Sequence, residues 1–294
     1  MRIWVVPCCN CVVEALIVVM ADKSKNLGDA ERLTAREIFE SAAQHAREEL
    51  KRPWKALAFS GIAGGLTMGL TGLSTGLVIG LLGRGTVSQL IAATVYPIGF
   101  LAVIIGRAQL FTENTLYPVV LVLTTRKYLV DTLKLWAVVY VGNWVGSVLF
   151  AALAVKTNAL QSDVRNTLIE LGTHAVDHPF STVFWSGVVG GWLLALVAWL
   201  VTGSYWTTGQ AIMTWTMTFV LGLGQFAHCV ANSGEILSAM LTGSIAPADY
   251  ISWLAAATFG NIAGGVVMVS LLNYGQVKLG EEEEGSGPDL RRAG

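Results

Sequence analysis

The sequence predicts an all-α membrane protein with six transmembrane helices, arranged as two halves of three spans that are inverted relative to each other. Of its 294 residues, 53% are hydrophobic and 13% are charged, whereas soluble domains carry about 25% charged residues. The charges are clustered, which leaves long uncharged windows, and a weak internal repeat links the two halves. The net charge of −1 and the lack of a basic stripe argue against a nucleic-acid partner.

The uncharged windows predict the number of spans. A helix needs about 20 apolar residues to cross a bilayer, and each window reaches that length. Asp, Glu, Lys and Arg are absent from five windows, namely 56–83, 85–106, 135–155, 178–234 and 250–277. The window 178–234 is long enough for two spans, and the second span is extended past a polar break through "TLYPVVLVLTT". The six-helix channel domain is therefore predicted to cover 56–278, embedded in the lipid bilayer.

Three segments lie outside this predicted domain. The apolar stretch 1–19 contains a proline and a glutamate and lacks a small-residue cleavage site, so it is interpreted as a spurious or non-structural extension. Residues 20–55 are predicted to be a cytoplasmic segment with an amphipathic helix, which opens on a capping box formed by Thr34 and Glu37. The segment 279–294 is polar and glycine-rich and is predicted to be a disordered cytoplasmic tail.

Basic residues predict the orientation of the chain. Nine Lys and Arg precede the first span, and others lie in the loop after the second span and near the C-terminus. The opposite side carries only Arg84, Lys156 and Arg165. Because short cytoplasmic loops are enriched in Lys and Arg, both termini are predicted to be cytoplasmic, in a multi-pass protein of the inner (plasma) membrane.

An internal repeat relates the two halves. "SGIAGG" recurs as "SGVVGG", and "GNWVG" at 142–146 recurs 118 residues later as "GNIAG" at 260–264. The same offset places the polar "FTENT" (111–115) on "CVANS" (229–233). The offset links the second span to the fifth and the third to the sixth, so each half has three spans and the halves are inverted. Inverted repeats with interrupted helices in matching positions indicate a substrate site in a transporter.

Ionisable side chains at membrane depth mark the candidate site, because a charge there is costly and is usually functional. Arg107 and Glu113 flank the first break, and His228 and Glu235 lie at the second. Two interpretations of the first break are open. In one, Arg107 and Glu113 pair with each other or with local backbone and hold the broken helix in shape. In the other, Glu113 faces the permeation path and sets selectivity together with Glu235; Asn114 lies beside it.

The breaks predict a site for a small anion. A broken helix leaves unpaired amides with partial positive charge at the start of its second piece. Moving a bare anion through apolar constrictions is costly, and a titratable imidazole lowers that cost by lending a proton or a hydrogen bond. His228 is therefore predicted to be the central pore residue, and the apolar Leu110, Phe111 and Phe226 are predicted to act as narrow gates.

The sequence lacks the motifs that are typical of enzymes and of metal or cofactor sites. The sequence contains no hydrolase elbow, phosphate-binding loop or paired Cys/His metal spacing, so neither an enzyme nor a metal or cofactor site is predicted. His174 and His178 are interpreted as solvated residues of the polar loop before the fourth span. Cys229 has no partner within the spans, so no disulfide is predicted.

The motifs "QLFTENT" and "AHCVANS", together with the paired "GN" motifs, resemble the formate/nitrite transporter family over about residues 50–278. The resemblance implies an aquaporin-like six-helix protomer with an inverted three-plus-three repeat and interrupted second and fifth helices. It also implies a homopentamer with one pore per subunit, and a small monocarboxylate or inorganic anion as substrate.

By motif position, the resemblance also assigns site residues. Leu110, Phe111 and Thr112 look like the second-span loop that gates the pore in this family. His228 looks like the central histidine, and Asn232 looks like the asparagine that follows it.

The sequence departs from the family at two points. Many members carry a lysine ahead of the fourth span that helps to attract the anion, and here that stretch reads "THAVDHPF". Glu113 and Glu235 add carboxylates where better-studied members carry neutral residues. The first hypothesis is thus a channel for small monovalent anions or their weak acids. The alternatives are a channel of the same fold for a neutral or cationic solute, and a non-conducting membrane scaffold or sensor.

Overall fold

The computed structural model describes residues 33–125 and 127–286, with side chains as far as residue 280. The described part is helical and contains no strand. Its helices are α1 (Ala35–Lys51), α2 (Trp54–Leu82), α3 (Thr86–Val95), α4 (Ile98–Ile105), α5 (Tyr117–Thr125), α6 (Leu129–Lys156), α7 (Ser162–Val176), α8 (Phe180–Thr202), α9 (Thr207–Leu223), α10 (Ser233–Leu241), α11 (Pro247–Gly265) and α12 (Leu272–Ser286). A 3₁₀ turn spans Glu113–Thr115, and a π-helical turn at Val266–Leu271 joins α11 to α12.

Long apolar helices confirm the predicted all-α membrane fold. Within the described residues, five stretches are long and apolar enough to cross a membrane: Trp54–Leu82, Thr86–Ile105, Leu129–Lys156, Phe180–Thr202 and Pro247–Gly280. The shorter pieces α9 and α10 are separated by a break and would together form the remaining span. The count of six spans and the inverted orientation of the halves stay predictions.

Helices α4 and α9 are each followed by a break that corresponds to a polar interruption in the sequence, and both helices end in the same way. At the first break Arg107 has φ of 60°, and the N–H of the next residue donates to the Val103 carbonyl at 3.0 Å. At the second break Gln225 has φ of 51°, and the next N–H donates to the Leu221 carbonyl at 3.1 Å. These are Schellman caps, which normally place glycine at the left-handed position. Arg107 and Gln225 occupy it at equivalent positions of the repeat.

Close helix pairs frame the breaks, with α2 packed on α6 and α8 packed on α11. A Cβ atom on Gly65 would lie 2.0 Å from the Asn143 carbonyl oxygen, and one on Gly191 would lie 2.1 Å from the Asn261 carbonyl oxygen. Only glycine fits at these two positions. Small residues at helix crossings let membrane helices approach closely enough for dispersion contacts and backbone contacts.

The amphipathic helix predicted within 20–55 is α1, which begins at Ala35 directly after Thr34. Its buried face includes Phe39 and Ala46 and belongs to an apolar cluster with α5 and α8. The helix therefore lies on the bundle, while its cytoplasmic location stays a prediction. The segment 1–19 lies outside the described residues.

Two segments differ from the sequence-based expectations. The last helix continues to Ser286, past residue 279 where the disordered tail was predicted to begin; a run of glutamates extends it because Glu has high helix propensity. Residues 287–294 lie outside the described part. The stretch before α8 was expected to be a polar loop, but most of it forms the helix α7, which packs on α2 and α10.

Candidate functional site

A buried asparagine holds the first break in place. The Asn143 amide nitrogen donates to the carbonyl oxygens of Gly61 at 2.8 Å and Gln109 at 2.9 Å. Its side-chain oxygen accepts the Phe111 N–H at 2.8 Å. The Ser60 hydroxyl oxygen accepts the Gln109 N–H at 3.1 Å. Backbone groups that lose their helical partners at the break are thus satisfied by side chains of α2 and α6, as buried polar groups require.

The second break is held by the same set of bonds. Asn261 donates to the carbonyl oxygens of Gly187 at 2.8 Å and Ala227 at 2.9 Å, and it accepts the Cys229 N–H at 2.9 Å. The Ser186 hydroxyl oxygen accepts the Ala227 N–H at 2.9 Å. Every one of these bonds repeats a bond of the first break at the equivalent position. The asparagines of the two "GN" motifs therefore supply the clamp that fixes each broken helix.

His228 joins the two breaks. Its ring is fully buried, and Nε2 lies 2.9 Å from the Thr112 hydroxyl oxygen. Its Nδ1 accepts the backbone N–H groups of Val230 at 3.3 Å and Ala231 at 2.9 Å. The ring of Phe100 meets the imidazole edge-on, with ring centroids 5.2 Å apart.

These partners fix the tautomer of the imidazole. A ring nitrogen that accepts two backbone N–H bonds carries no proton, so a neutral His228 has its hydrogen on Nε2 and donates it to Thr112. Forming the imidazolium would place a proton on Nδ1 and break both backbone bonds in a buried site, which is costly. The geometry therefore suits a hydrogen-bond donor at Nε2 and opposes protonation of this ring.

Asn232 bonds to the backbone of His228 and shares a cavity wall with two further polar groups. Its side-chain oxygen accepts the His228 N–H at 3.0 Å. The Asn232 side chain lies along the same cavity wall as the Glu235 carboxylate and the Tyr96 side chain. Glu235 is buried, with 5% of its surface exposed. The second break thus places a buried carboxylate one side chain away from the backbone of the predicted central histidine.

A cavity of about 350 Å³ lies beside Asn232 and Glu235. Asn232, Glu235 and the half-buried Phe226 line it together with exposed histidines. The sequence analysis placed His174 and His178 in a loop; His174 lies on α7, and the two rings are 5.4 Å apart at the cavity wall. No lysine or arginine is among the described residues that line this cavity, which agrees with the missing lysine noted in the sequence.

Arg107 and Glu113, for which the sequence left a structural pair open, do not form an ion pair. No salt bridge within 4.0 Å joins them, although each lies in the described part of the chain. Arg107, which has a left-handed φ, is exposed, whereas Glu113 is half-buried in the 3₁₀ turn. Spacing along the sequence alone could not predict the left-handed turn at Arg107.

A different network supports the first break, and the sequence analysis missed it. Asn114 donates to the Gln109 side-chain oxygen at 2.9 Å, and Gln109 donates to the Glu49 carboxylate at 2.8 Å. Arg52 pairs with the same carboxylate at 2.9 Å. Glu49 lies on α1, so this network ties the amphipathic helix to the break. The signal for this network in the sequence was Glu49, a glutamate on the apolar face of α1.

The predicted apolar gates occupy different surroundings. Leu110 is fully buried, and Phe111 packs edge-on against the α6 aromatics Trp136 and Tyr140 with ring centroids 5.6 and 4.9 Å apart. Phe226 lines the cavity. Within the described residues, no group of three or more His, Cys, Asp or Glu side chains is placed to hold a metal ion.

Comparisons with known proteins agree with this architecture. The sequence model described as "Formate/nitrite transporter" matches residues 36–275. The Inner membrane protein YfdC of Escherichia coli (strain K12) is 31% identical over 255 residues, which cover 85% of this chain and 82% of that protein. A solved "FNT family ion channel" superposes with a TM-score of 0.69 at 22% identity, covering 82% of this chain and 98% of the other. A "Pentameric formate channel with formate bound" gives 0.65 at 20% identity, covering 77% and 98%. The chain therefore belongs to the formate/nitrite transporter family.

Proposed function

We propose that this protein is a membrane channel or transporter for small monovalent anions or their weak acids, with His228 donating a hydrogen bond to the permeating species. The observation that carries the proposal is the contact between the two breaks, where His228 Nε2 lies 2.9 Å from Thr112. Family membership and the formate named for a related structure support this substrate class.

Of the two roles predicted for the imidazole, donation of a hydrogen bond has the better support. Nδ1 is held by two backbone N–H groups, so Nε2–H is the hydrogen available to a solute. A permeant oxygen can replace the Thr112 hydroxyl as acceptor of that hydrogen. The Nε2–H of His228 then keeps an acceptor throughout the exchange, which lowers the cost of passage.

The remaining site residues then act around this centre. Leu110, Phe111 and Phe226 form apolar constrictions beside the hydrogen-bonding groups, and a narrow apolar passage rejects hydrated ions because their desolvation is costly. Asn114 and Asn232 hold the backbone of the two breaks. Arg107 and Glu113 lie at the first break, and Glu113 keeps its proposed role in selectivity together with Glu235.

The assembly is proposed to be a homopentamer in the inner (plasma) membrane, with both termini cytoplasmic. Large apolar side chains cover the outer surface, for example Phe59, Trp185 and Phe259, which are 75%, 66% and 61% exposed. Such a surface requires lipid or neighbouring subunits. Native mass spectrometry in mild detergent should detect five copies, and a spectrum of monomers alone would contradict the pentamer.

The experiment that tests the substrate class is uptake by proteoliposomes. Labelled formate, acetate and nitrite should enter faster than into protein-free vesicles, whereas methylammonium and urea should not. The second candidate, a channel for neutral or cationic solutes, rests on the Glu235 carboxylate in a cavity without lysine or arginine. Uptake of methylammonium or urea without uptake of any weak acid would favour that candidate. Vesicles impermeable to the whole panel would favour the non-conducting scaffold.

A further inference from the structure

We propose that Glu235 is the proton-exchange residue of this pore, so that the cavity passes solutes that can carry a proton and rejects anions that cannot. The inference rests on the proposed function and deepens it, because it restricts the substrates to weak acids. It starts from His228, whose hydrogen-bonded ring is a donor but a poor site for an added proton. The proton that neutralises a permeating anion must then come from another group.

Glu235 is the group with the right position. Its carboxylate lines the cavity together with Asn232, whose side-chain oxygen accepts the backbone N–H of His228 at 3.0 Å. A solute that enters the cavity therefore meets this carboxylate, and Asn232, which lines the same cavity, is bonded to the His228 backbone. A carboxyl group is also able to give up and regain a proton repeatedly without any change in the hydrogen bonds of the backbone.

Among the described residues that line the cavity with Glu235, none is a lysine or an arginine. Gly72 of α2 approaches its side chain, and Gly172 of α7 approaches its backbone. The other titratable side chains on the cavity wall are Tyr96, His174 and His178. Asp177 stands 4.0 Å from His174 at the exposed end. A carboxylate with no lysine or arginine beside it repels anions, and it accepts a proton readily because no cation stabilises its charge.

The exchange is a single balanced proton transfer. The O–H bond of the protonated Glu235 carboxyl breaks, and its proton forms a new O–H or S–H bond on the anion in the cavity. The neutral acid continues past Phe226 to His228. The Glu235 carboxylate then regains a proton from cavity water, and the exposed imidazoles of His174 and His178 can pass that proton inward from solution. The reverse sequence serves outward movement, and no oxidant or reductant is needed.

The consequence is a selectivity that charge and size alone do not give. Formate and nitrate are both small, planar, monovalent anions, but formic acid is a much weaker acid than nitric acid, so only formate can take up a proton in the cavity at a moderate cost. Proteoliposomes should therefore carry formate at least about tenfold faster than nitrate at pH 6.5, which corresponds to a barrier difference of about 1.4 kcal/mol. This comparison uses the unchanged protein and does not depend on the folding of a variant.

Variants assign the effect to the carboxylate. Glu235→Gln preserves the shape of the side chain but cannot exchange a proton, so it should reduce the formate-to-nitrate ratio by about tenfold and weaken the rise of formate flux on acidification. Glu235→Asp should retain both properties in part. Glu170→Gln is the matched control, because Glu170 lies on α7 in an exposed ion pair with Arg84 and does not line the cavity; it should behave like the unchanged protein.

Two results overturn the inference while the proposed function stands: equal transport of formate and nitrate by the unchanged protein, or an unchanged ratio and pH profile in Glu235→Gln. Failure of the unchanged protein to carry any weak acid would overturn the proposed function, and the inference with it.

Discussion

The two asparagine clamps give the sharpest stability prediction. Replacing Asn143 or Asn261 with leucine keeps the approximate volume of the side chain but removes three hydrogen bonds at one break. Both asparagines are fully buried, so water cannot replace the lost partners. Each substitution leaves two carbonyl oxygens and one N–H group without the side chain that satisfies them.

The expected loss in the free energy of unfolding follows from the number of hydrogen bonds removed. Hydrogen bonds inside membrane proteins contribute about 0.6 kcal/mol on average and up to about 1.7 kcal/mol, so three bonds correspond to about 2–5 kcal/mol. Because the same bonds occur at both breaks, the two variants should lose similar free energies of unfolding. The measurement is unfolding in mixed micelles with increasing denaturing detergent, followed by tryptophan fluorescence.

Asn273→Leu is the matched control. Asn273 is half-buried and makes a single side-chain bond, to the Val269 carbonyl at 2.8 Å, so its loss should cost less than about 1 kcal/mol. Clamp variants that unfold at the same detergent fraction as this control would refute the reasoning. A large effect at one break with none at the other would refute the equivalence of the two clamps.

Three further predictions concern packing, pairing and pH. Gly65→Ala should prevent correct folding, because the added Cβ would lie 2.0 Å from a carbonyl oxygen, whereas Gly275→Ala, which has open space, should give normal yield in fluorescence-detected size exclusion. Arg107→Gln and Glu113→Gln should show a coupling below about 0.5 kcal/mol in a double-mutant cycle, because no ion pair joins them; strong coupling would restore the structural pair. Burial holds the pKa of His45 below its usual 6.5, against the opposing effect of nearby carboxylates. The folded state therefore resists protonation of His45, so the docking of α1 should weaken as the pH falls below about 6.5. Amide hydrogen exchange of α1, corrected for the intrinsic effect of pH on exchange, measures this weakening. Corrected exchange rates that stay constant would contradict the prediction.

The sequence predicted the membrane fold and the location of the breaks because both leave strong patterns. Uncharged windows mark the long helices, and the 118-residue offset aligns one polar interruption with the other. In the sequence, the "GN" motifs served only to align the repeat and to support the family resemblance. The structural role of Asn143 and Asn261 emerges when the backbone shows which carbonyl groups each break leaves unpaired.

Other features depend on geometry that spacing does not encode. Arg107 and Glu113 are close in the sequence, but no salt bridge within 4.0 Å joins them, and Arg107 lies in a left-handed turn. The residues around His174 have the composition of a loop, yet His174 lies on α7, which places it at the cavity that Glu235 also lines. The bond between Gln109 and Glu49 joins positions far apart in the chain. These contacts arise from tertiary packing, which a single sequence does not reveal.

The central claim is that the protein carries small weak acids and that His228 donates a hydrogen bond to them. Its most direct test is stopped-flow uptake of formate by proteoliposomes that contain the unchanged protein, His228→Asn or His228→Leu, each verified as folded by size exclusion. We expect uptake well above that of protein-free vesicles for the unchanged protein, partial retention with asparagine, which still donates, and a loss of at least about tenfold with leucine, equivalent to about 1.4 kcal/mol. Uptake by the leucine variant at the rate of the unchanged protein, or no uptake by the unchanged protein, would contradict the account.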